Sequence, residues 1–216
     1  EIWIQPPGTP TVGESFLRAY RITGEELYLE AARQAGRSLA WGQHATGGWA
    51  HTADLSHAAD PGGPIEHREG GGTFDDETTQ GALIFLMELD RVIDEPWLTE
   101  TIERGLQFIL ESQFDNGAWP QWYPLDGGYS DYFTYNDNAI NDCIRVLLKA
   151  HALYGDERYL AGAERGGIFI IQSQISASQA GWAQQYNHEM EPARARSFEP
   201  EGVCSAVTAR NIRTLT

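Results

Sequence analysis

Two short acidic segments are the parts of this sequence whose residue types could most directly do chemistry. Residues 73–79 contain Asp75 and Asp76 followed by a glutamate, and residues 134–138 contain Asp137 between two asparagines. Oxygen-rich clusters of this kind are what Ca²⁺ or Mg²⁺ requires. Acids and amides at a helix start also serve as caps, because they accept hydrogen bonds from free backbone amides and suit the positive helix end. Three successive acids exceed what capping requires, so we predict a metal or catalytic site and keep capping as the alternative.

A third segment carries positive charge. Residues 191–200 read EPARARSFEP and hold Arg194 and Arg196 two positions apart between prolines. Prolines disfavour a helix, and alternate residues of an extended chain point to the same face, so both arginines are expected on one side of a loop. A guanidinium is well shaped to bind a carboxylate. The segment therefore predicts a carboxylate-binding site, with surface ion pairing as the alternative.

A long aromatic loop, residues 115–139, leads into the second acidic segment. It contains two tryptophans, four tyrosines and a phenylalanine among acids and amides. Loops of this length inside a domain are usually functional or disordered, and disordered segments are poor in aromatic residues. Aromatic faces among polar groups favour stacking against a polar ring such as a sugar. The alternative is that Trp122 and Tyr123 only pack the loop onto the fold.

Recurring signals indicate that a repeated helical unit positions these segments. The pattern Gln-x-x-x-Gly-x-Trp occurs at residues 43–49 and 113–119, and a looser copy runs over residues 174–182. Two runs of apolar residues with the three- and four-residue spacing of helices precede each copy. The unit is therefore a helix, a short turn, a second helix and a Gly-Trp loop, made three times. A fourth unit begins at Val203.

Helical hairpins repeated every 60–70 residues or so predict an all-α fold, an (α/α)3-type toroid with inner and outer helices. Long loops should meet at one end of such a ring, where we expect a cleft. Only short strand pairs are expected, in the Gly-Trp loops. A length of 216 residues suits a single domain over residues 1–216.

Composition narrows the classes of partner. The net charge is −16, from 31 acids and 15 bases, which argues against nucleic acid because phosphate binding needs a basic surface. No apolar run approaches the length of a membrane span, so no membrane partner is expected. A polyanionic sugar would need metal ions or local arginines to offset the negative field. Cys143 and Cys204 are expected as free thiols, and the histidines, His57 among them, show no metal-binding spacing.

In this order, the three segments resemble the pectate lyases of polysaccharide lyase family ten. The similar stretches are TFDDETTQ at 73–80, the loop QFDNGAWPQWYPLDGGYSDYFTYNDNA at 113–139, and the sequence from WAQQYN to EPARARSFE at 182–199. The likeness covers roughly residues 70–216. It implies an α/α toroid that cleaves polygalacturonate by Ca²⁺-assisted anti-β-elimination. The bulk of such a substrate implies an extracellular or periplasmic protein, which we expect to be a monomer.

The resemblance also implies roles for individual residues. Arg196 matches the arginine that serves as the base, and an arginine accepts a proton only in a strongly cationic site or at high pH, so an alkaline optimum is expected. Asp75 and Asp137 match the acids that bind the metal ion at the cleft. The predicted substrate-binding residues are Arg194, Trp119, Trp122, Tyr123 and Asp76.

Some positions depart from the family pattern. Asp126 stands where relatives often have a basic residue, and Glu77 stands where a neutral residue is common. The family continues beyond the position of Thr216 into a segment that supplies another substrate-binding arginine. We therefore expect either a chain shortened at its C-terminus or a minimal relative with altered activity.

Three other functions compete with the lyase. A toroidal glycoside hydrolase would use Asp75 and Asp137 as an acid–base pair without metal. A non-catalytic relative would bind uronate through the aromatic loop alone. A terpenoid cyclase is suggested by the Gln-x-x-x-Gly-x-Trp pattern, which resembles the repeat of squalene-type cyclases, but residues 115–139 are too polar for the apolar cavity that such enzymes need.

Overall fold

The computed structural model describes residues 1–56, 65–176 and 180–216, and in these ranges the chain is mostly helical. His57 and the middle of the looser third Gly-Trp copy lie outside the described residues. The α-helices are α1 (Thr9–Thr23), α2 (Glu26–Gly42), α3 (Thr78–Asp90), α4 (Pro96–Glu111), α5 (Ala139–Tyr154), α6 (Glu157–Gln172) and α7 (Ser205–Thr214). None of these described helices is both long enough and apolar enough to cross a membrane.

The strands are short, as the sequence predicts. They are β1 (Ile2–Trp3), β2 (Thr52–Ala53), β3 (Gly72–Thr73), β4 (Trp122–Tyr123), β5 (Phe133–Thr134) and β6 (Gln185–Tyr186). β1 pairs with β2 and β5 pairs with β6, each antiparallel. Three single 3₁₀ turns, Asp75–Glu77, Tyr129–Asp131 and Asn136–Asn138, complete the elements that concern the site.

The chain divides into two compact units. The first comprises Glu1–Thr73 and Glu77–Phe108, and the second comprises Phe74–Asp76 and Ile109–Thr216. The first unit contains α1 to α3 and most of α4. The second contains the end of α4, α5 to α7, and all the residues that the sequence predicts to do chemistry. A single domain over residues 1–216 stays a prediction.

The α5–α6 hairpin shows how the helical pattern becomes a packed pair. Ile144 and Leu147 are buried on α5, as their helical spacing predicts. Gly162 and Gly166 of α6 lie against these two side chains, and a Cβ at either glycine would come within 2.9 Å of them. Asp156 is the N-cap residue of α6, and its carboxylate accepts a hydrogen bond from the backbone N–H of Arg158 in the first turn. Small residues on one helix thus receive the large side chains of the other.

The Gln-x-x-x-Gly-x-Trp pattern closes the first unit's loop through hydrogen bonds. The side-chain amide of Gln43 donates to the carbonyl of Gly47 at 2.9 Å and to that of Thr101, in α4, at 3.0 Å. Trp49 is fully buried, and its indole N–H donates to the carbonyl of Leu39 in α2 at 2.8 Å. The loop is thereby fastened to the helix before it and to a helix that follows.

The second unit repeats the same arrangement. Gln113 donates to the carbonyls of Gly117 at 3.0 Å and of Gly162 at 2.9 Å. The buried indole of Trp119 donates to Ile109 in α4 at 2.8 Å, and Trp182 makes the equivalent bond to α6. These hydrogen bonds give the Gln-x-x-x-Gly-x-Trp pattern a structural role. Its likeness to the repeat of squalene-type cyclases is therefore no argument for a terpenoid substrate.

Gly117 offers a test of this closure. It has φ +93°, and a Cβ there would lie 2.2 Å from the backbone oxygen of Arg165. Gly127 has a similar φ, +91°, but no described atom lies within 4 Å of its Cβ position. We expect Gly117→Ala to lower the free energy of unfolding by about 3 kcal/mol or more, and Gly127→Ala by about 1 kcal/mol, because only the former adds a clash to the backbone strain. Urea denaturation measures both, and equal losses would contradict the assignment.

Candidate functional site

The two acidic segments form turns with the same unusual backbone. Asp76 and Glu77 have φ values of 49° and 56° before α3, and Asp137 and Asn138 have values of 47° and 67° before α5. This left-handed conformation costs most residues with a Cβ about 1–2 kcal/mol each, although Asp and Asn adopt it more readily, and residues held in such strained conformations cluster at functional sites. Neither Glu77 nor Asn138, the N-cap residues, makes a side-chain capping bond with the described residues. Repetition of a strained turn favours a shared chemical role over capping.

Backbone hydrogen bonds bring the first turn to the aromatic loop within the second unit. The N–H of Phe74 donates to the carbonyl of Gln121 at 2.9 Å, which sets Asp75 beside the strand that carries Trp122. The two ends of that loop are joined because the N–H of Thr134 donates to the carbonyl of a buried tryptophan at 3.1 Å. The first acidic turn and the aromatic loop are therefore neighbours.

A second set of backbone bonds brings in the arginine segment. The N–H groups of Tyr135 and Asn136 both donate to the carbonyl of Gln184, at 2.8 and 3.0 Å. Gln185 exchanges bonds with Ala193: it accepts from the Ala193 N–H at 3.0 Å, and its own side-chain amide donates to the Ala193 carbonyl at 3.0 Å. The residues just before the two arginines are thus tied to the residues just before the second acidic turn.

The carboxyl groups of Asp75 and Asp137 lie close enough to share a hydrogen bond. The pKa of Asp137 is raised to about 6, chiefly by burial and then by the hydrogen bond and the charge of Asp75, while Arg196 acts in the opposite direction. Like charges held this close make ionisation of both groups unfavourable. When both groups are ionised they repel each other, and a bound cation would offset this repulsion.

The donor set fits a hard cation. One carboxylate oxygen of Asp75 lies within 4.8 Å of one from Asp76, and Asp137 adds a third carboxylate. Ca²⁺ and Mg²⁺ prefer such oxygen ligands, and nearby cationic charge reverses the cost of ionising neighbouring acids. These three residues could therefore hold a divalent ion.

Arg196 is held by a buried glutamate. Its Nε and Nη2 atoms donate to the two carboxylate oxygens of Glu199 at 2.8 and 2.5 Å, and its backbone N–H donates to Oε2 at 3.0 Å. Glu199 is 3% exposed, whereas the Arg196 side chain is 38% exposed. These hydrogen bonds raise the pKa of Arg196 above its usual value and lower the pKa of Glu199. The guanidinium is therefore strongly held in its charged form.

Asn136 connects this ion pair to the second acidic turn. Its side-chain amide donates to Oε1 of Glu199 at 2.7 Å and to Oδ2 of Asp137 at 2.8 Å. Its Oδ1 accepts from the amide of Gln184 at 3.1 Å. Sequence reasoning missed Glu199, Asn136 and Gln184 as members of the site. Glu199 could have been recognised from the sequence as a glutamate three residues after Arg196, between a phenylalanine and a proline.

The aromatic loop presents only some of its rings. Trp122 and Tyr123 are half-buried, and Tyr129 is 42% exposed. Trp119, expected from sequence to contact sugar, is fully buried and hydrogen bonded to α4. Because a buried indole has no surface to offer a ligand, we assign Trp119 to the packing of the loop and leave it out of the sugar-binding surface.

The tip of the loop is ordered by its own acids. Asp131 is buried, and its carboxylate accepts from the N–H groups of Asp126 and Gly127 at 3.0 and 2.8 Å. The Asp126 carboxylate in turn accepts from the hydroxyl of Ser130 at 2.9 Å. Asp126, which departs from the family pattern, thus has a local structural role in this chain.

Arg194 lies two residues before Arg196 in sequence but has a different environment. It is exposed and forms no ion pair with any described residue. The structure therefore separates the two arginines into one fixed by a buried carboxylate and one directed to solvent.

Comparisons with known proteins identify the family and the fold. A family model described as pectic acid lyase matches residues 43–215. No curated protein matches the chain. Similar solved structures include the family 10 polysaccharide lyase from Cellvibrio cellulosa (23% identity, TM-score 0.72, covering 95% of this chain and 64% of that one). A mutant of the Cellvibrio cellulosa lyase in complex with trigalacturonic acid has 22% identity and a TM-score of 0.72, covering 95% and 65%. A cellobiose 2-epimerase from Bacillus thermoamylovorans B4167 has 12% identity and a TM-score of 0.67, covering 95% and 51%.

These likenesses establish the fold. The neighbours are toroidal helical enzymes, which confirms the predicted all-α toroid of helical hairpins. The chain spans 64% and 65% of the lengths of these two lyase structures. The family model, which spans residues 43–215, takes in both acidic turns, the aromatic loop and the arginine segment. With this match over well more than half of its length, the chain belongs to the pectic acid lyase family.

Proposed function

We propose that this chain cleaves polygalacturonate by Ca²⁺-assisted anti-β-elimination, with Arg196 as the base. The observation that carries the proposal is the close pair of Asp75 and Asp137 with Arg196 near enough to act on its ionisation, in a member of the pectic acid lyase family. Asp75 and Asp137 would hold the metal ion, and Asp76, which the sequence predicts to bind substrate, lies close enough to Asp75 to be a third ligand. When bound, Ca²⁺ would supply positive charge that stabilises the anion formed beside the substrate carboxylate.

The elimination needs a base beside a uronate ring. The base removes the proton α to the carboxylate, the electron pair forms a carbon–carbon double bond, and the glycosidic oxygen leaves with its bonding electrons and takes up a proton. Glu199 favours the charged form of Arg196, so the neutral form needed for this step should become more populated as the pH rises. We therefore propose an alkaline optimum.

Several groups would bind and orient the polymer. Arg194 is exposed and would pair with a substrate carboxylate, and the faces of Trp122 and Tyr123 would stack on sugar rings. The trigalacturonic acid bound to the Cellvibrio cellulosa mutant supports an oligogalacturonate ligand here. A substrate of this bulk supports an extracellular or periplasmic location, and we propose that the protein acts as a monomer.

The acid pair favours elimination over hydrolysis. Retaining glycoside hydrolases hold their two carboxyl groups about 5 Å apart, and inverting enzymes hold them farther apart. Asp75 and Asp137 lie close enough to share a hydrogen bond, which is closer than either arrangement needs. A shared cation site suits this geometry better than an acid and a base acting on opposite sides of one bond.

One assay tests the proposed function. Polygalacturonate is incubated with the protein at alkaline pH, with Ca²⁺ or with a chelator, and unsaturated uronate ends are followed by ultraviolet absorbance. We expect unsaturated product only with Ca²⁺. Reducing ends without unsaturation would indicate a hydrolase, and Ca²⁺-dependent binding without product would indicate a non-catalytic uronate-binding protein.

The sugar-stacking role of Trp122 has its own prediction. Trp122→Ala should raise KM for polygalacturonate about tenfold and leave kcat nearly unchanged, because loss of a stacking face is worth about 1.4 kcal/mol of binding. Trp3→Ala is the matched control, since Trp3 is 61% exposed and lies in the first unit. Initial rates over a range of substrate concentrations separate the two constants. A KM that stays at the wild-type value in Trp122→Ala would assign this ring to packing.

A further inference from the structure

We propose that Glu199 is a positioning residue that holds the guanidinium of Arg196 in a fixed orientation beside the acidic turn. The inference rests on the proposed role of Arg196 as the base. It assigns to Glu199 neither metal binding nor proton transfer.

The hydrogen bonds of Glu199 support this role. Oε2 accepts from Nε and from the backbone N–H of Arg196, and Oε1 accepts from Nη2 of Arg196 and from Asn136. Both oxygens are thus engaged in a buried carboxylate that is 3% exposed. A two-pronged pair between a guanidinium and a carboxylate fixes direction as well as distance, which an ordinary surface ion pair does not.

The far side of the same carboxylate is attached to the acidic turn. Asn136 bonds Glu199 at 2.7 Å and Asp137 at 2.8 Å through the same amide nitrogen, and Gln184 holds the other end of that amide. Glu199 therefore links the arginine segment to the residue whose carboxyl pairs with Asp75. The distance between the guanidinium and the acid pair is set through this link.

Phe198 restricts the guanidinium from another direction. Its ring lies 4.9 Å from Cζ of Arg196, within the range of a cation–π contact. Glu199 takes the edge formed by Nε and Nη2, so Nη1 is the nitrogen outside the pair. Nη1 is therefore the atom that we expect to meet the substrate proton. A shift of about 1 Å in such a group can cost about a hundredfold in rate.

The kinetic test compares Glu199→Gln with Glu201→Gln. Glutamine keeps the shape of residue 199 but turns an NH₂ group toward the guanidinium. It also removes a charge that favours protonated Arg196, but we expect the lost orientation to dominate, so kcat should fall about thirtyfold while KM changes less than about twofold. Glu201 is an exposed glutamate two residues after Glu199, and its substitution should leave both constants unchanged. Glu199→Asp keeps the charge but shortens the side chain, and it should restore only part of the rate. Full recovery by aspartate, or a change in KM alone, would overturn positioning.

A double substitution tests whether Glu199 acts through Arg196. In an Arg196→Ala background, Glu199→Gln should lower the residual kcat by less than about twofold, because the group that it orients is gone. Effects that multiply in the double variant would overturn the proposal. Circular dichroism of each variant verifies that it is folded.

A measurement independent of activity separates this inference from the proposed function. The Nε–H of Arg196 is identified in nitrogen–proton spectra as the arginine side-chain signal lost in Arg196→Lys. Its exchange with solvent should be slowed at least about tenfold relative to exposed Arg18, and this protection should disappear in Glu199→Gln but not in Glu201→Gln. Exchange as fast as that of Arg18 in the wild type would overturn positioning. A protected signal in a chain that forms no unsaturated product would overturn the proposed function and leave the orientation by Glu199 supported.

Discussion

Replacing Arg196 with alanine is expected to lower kcat for the cleavage of polygalacturonate about a thousandfold, with less than about a threefold change in KM. The side chain is directed by Glu199 and covered on one face by Phe198, and it lies near enough to Asp75 for their charges to interact. Removal of a correctly placed base affects the transition state far more than the bound substrate. Ultraviolet detection of unsaturated product, combined with calorimetric binding of oligogalacturonate, measures both effects. An undiminished kcat would contradict the role of Arg196.

Two control substitutions sharpen that result. Arg194→Ala should instead affect KM, which we expect to rise about tenfold, and leave kcat nearly unchanged. The reason is that Arg194 is exposed and would bind a substrate carboxylate. Arg18→Ala, at an exposed position in the first unit, should change neither kcat nor KM.

Arg196→Ala also leaves the Glu199 carboxylate buried without its partner, which costs about 3 kcal/mol of stability. Adding Glu199→Gln to that variant should recover stability without recovering kcat.

Asp137→Asn is the second substitution with a large expected effect. We expect kcat/KM in saturating Ca²⁺ to fall about a hundredfold, because one of the three carboxylates that would hold the ion is lost. The asparagine can still accept the hydrogen bond from Asn136 and can donate one to Asp75, so the turn should keep its shape. Ca²⁺ should raise the melting temperature of the wild type and have a much smaller effect on the variant.

The same substitution should change the pH dependence of stability in a defined direction. The pKa of Asp137 rises from an ordinary value of 3.8 to about 6 in the folded chain, so the folded state binds this proton more tightly than the unfolded state does. Its contribution to stability is therefore fully present below the unfolded pKa and is lost as the pH rises through about 6. Without Ca²⁺, Asp137→Asn should melt at a higher temperature than the wild type near pH 8, and this advantage should disappear near pH 4.

Thermal unfolding followed by circular dichroism, in chelator and in Ca²⁺, measures these differences. Asp94→Asn is the matched control, because Asp94 is exposed and distant in sequence from both acidic turns. A calcium-induced rise in melting temperature that persists undiminished in Asp137→Asn would remove Asp137 from the metal site.

Much of the fold follows from local patterns in the sequence. The helical spacing of Ile144 and Leu147 reflects which side of α5 is buried, and the Gln-x-x-x-Gly-x-Trp pattern marks where each outer helix ends. Such features depend on neighbours within one or two helical turns, so periodicity reveals them. The acidic turns were also recognisable, since consecutive acids before an apolar helix are conspicuous in the chain itself.

Sequence by itself therefore determined the helical hairpins, the two acidic turns and the likeness to the pectic acid lyases. Tertiary structure decided which of these side chains meet. Trp119 and Trp122 are equally aromatic, yet only packing shows that the first is fully buried and the second half-exposed. Glu199 is one acid among 31, and its pairing with Arg196 and Asn136 depends on the folding back of a loop. Burial and hydrogen-bond direction arise from contacts between residues distant in sequence, and local propensity carries no information about those contacts.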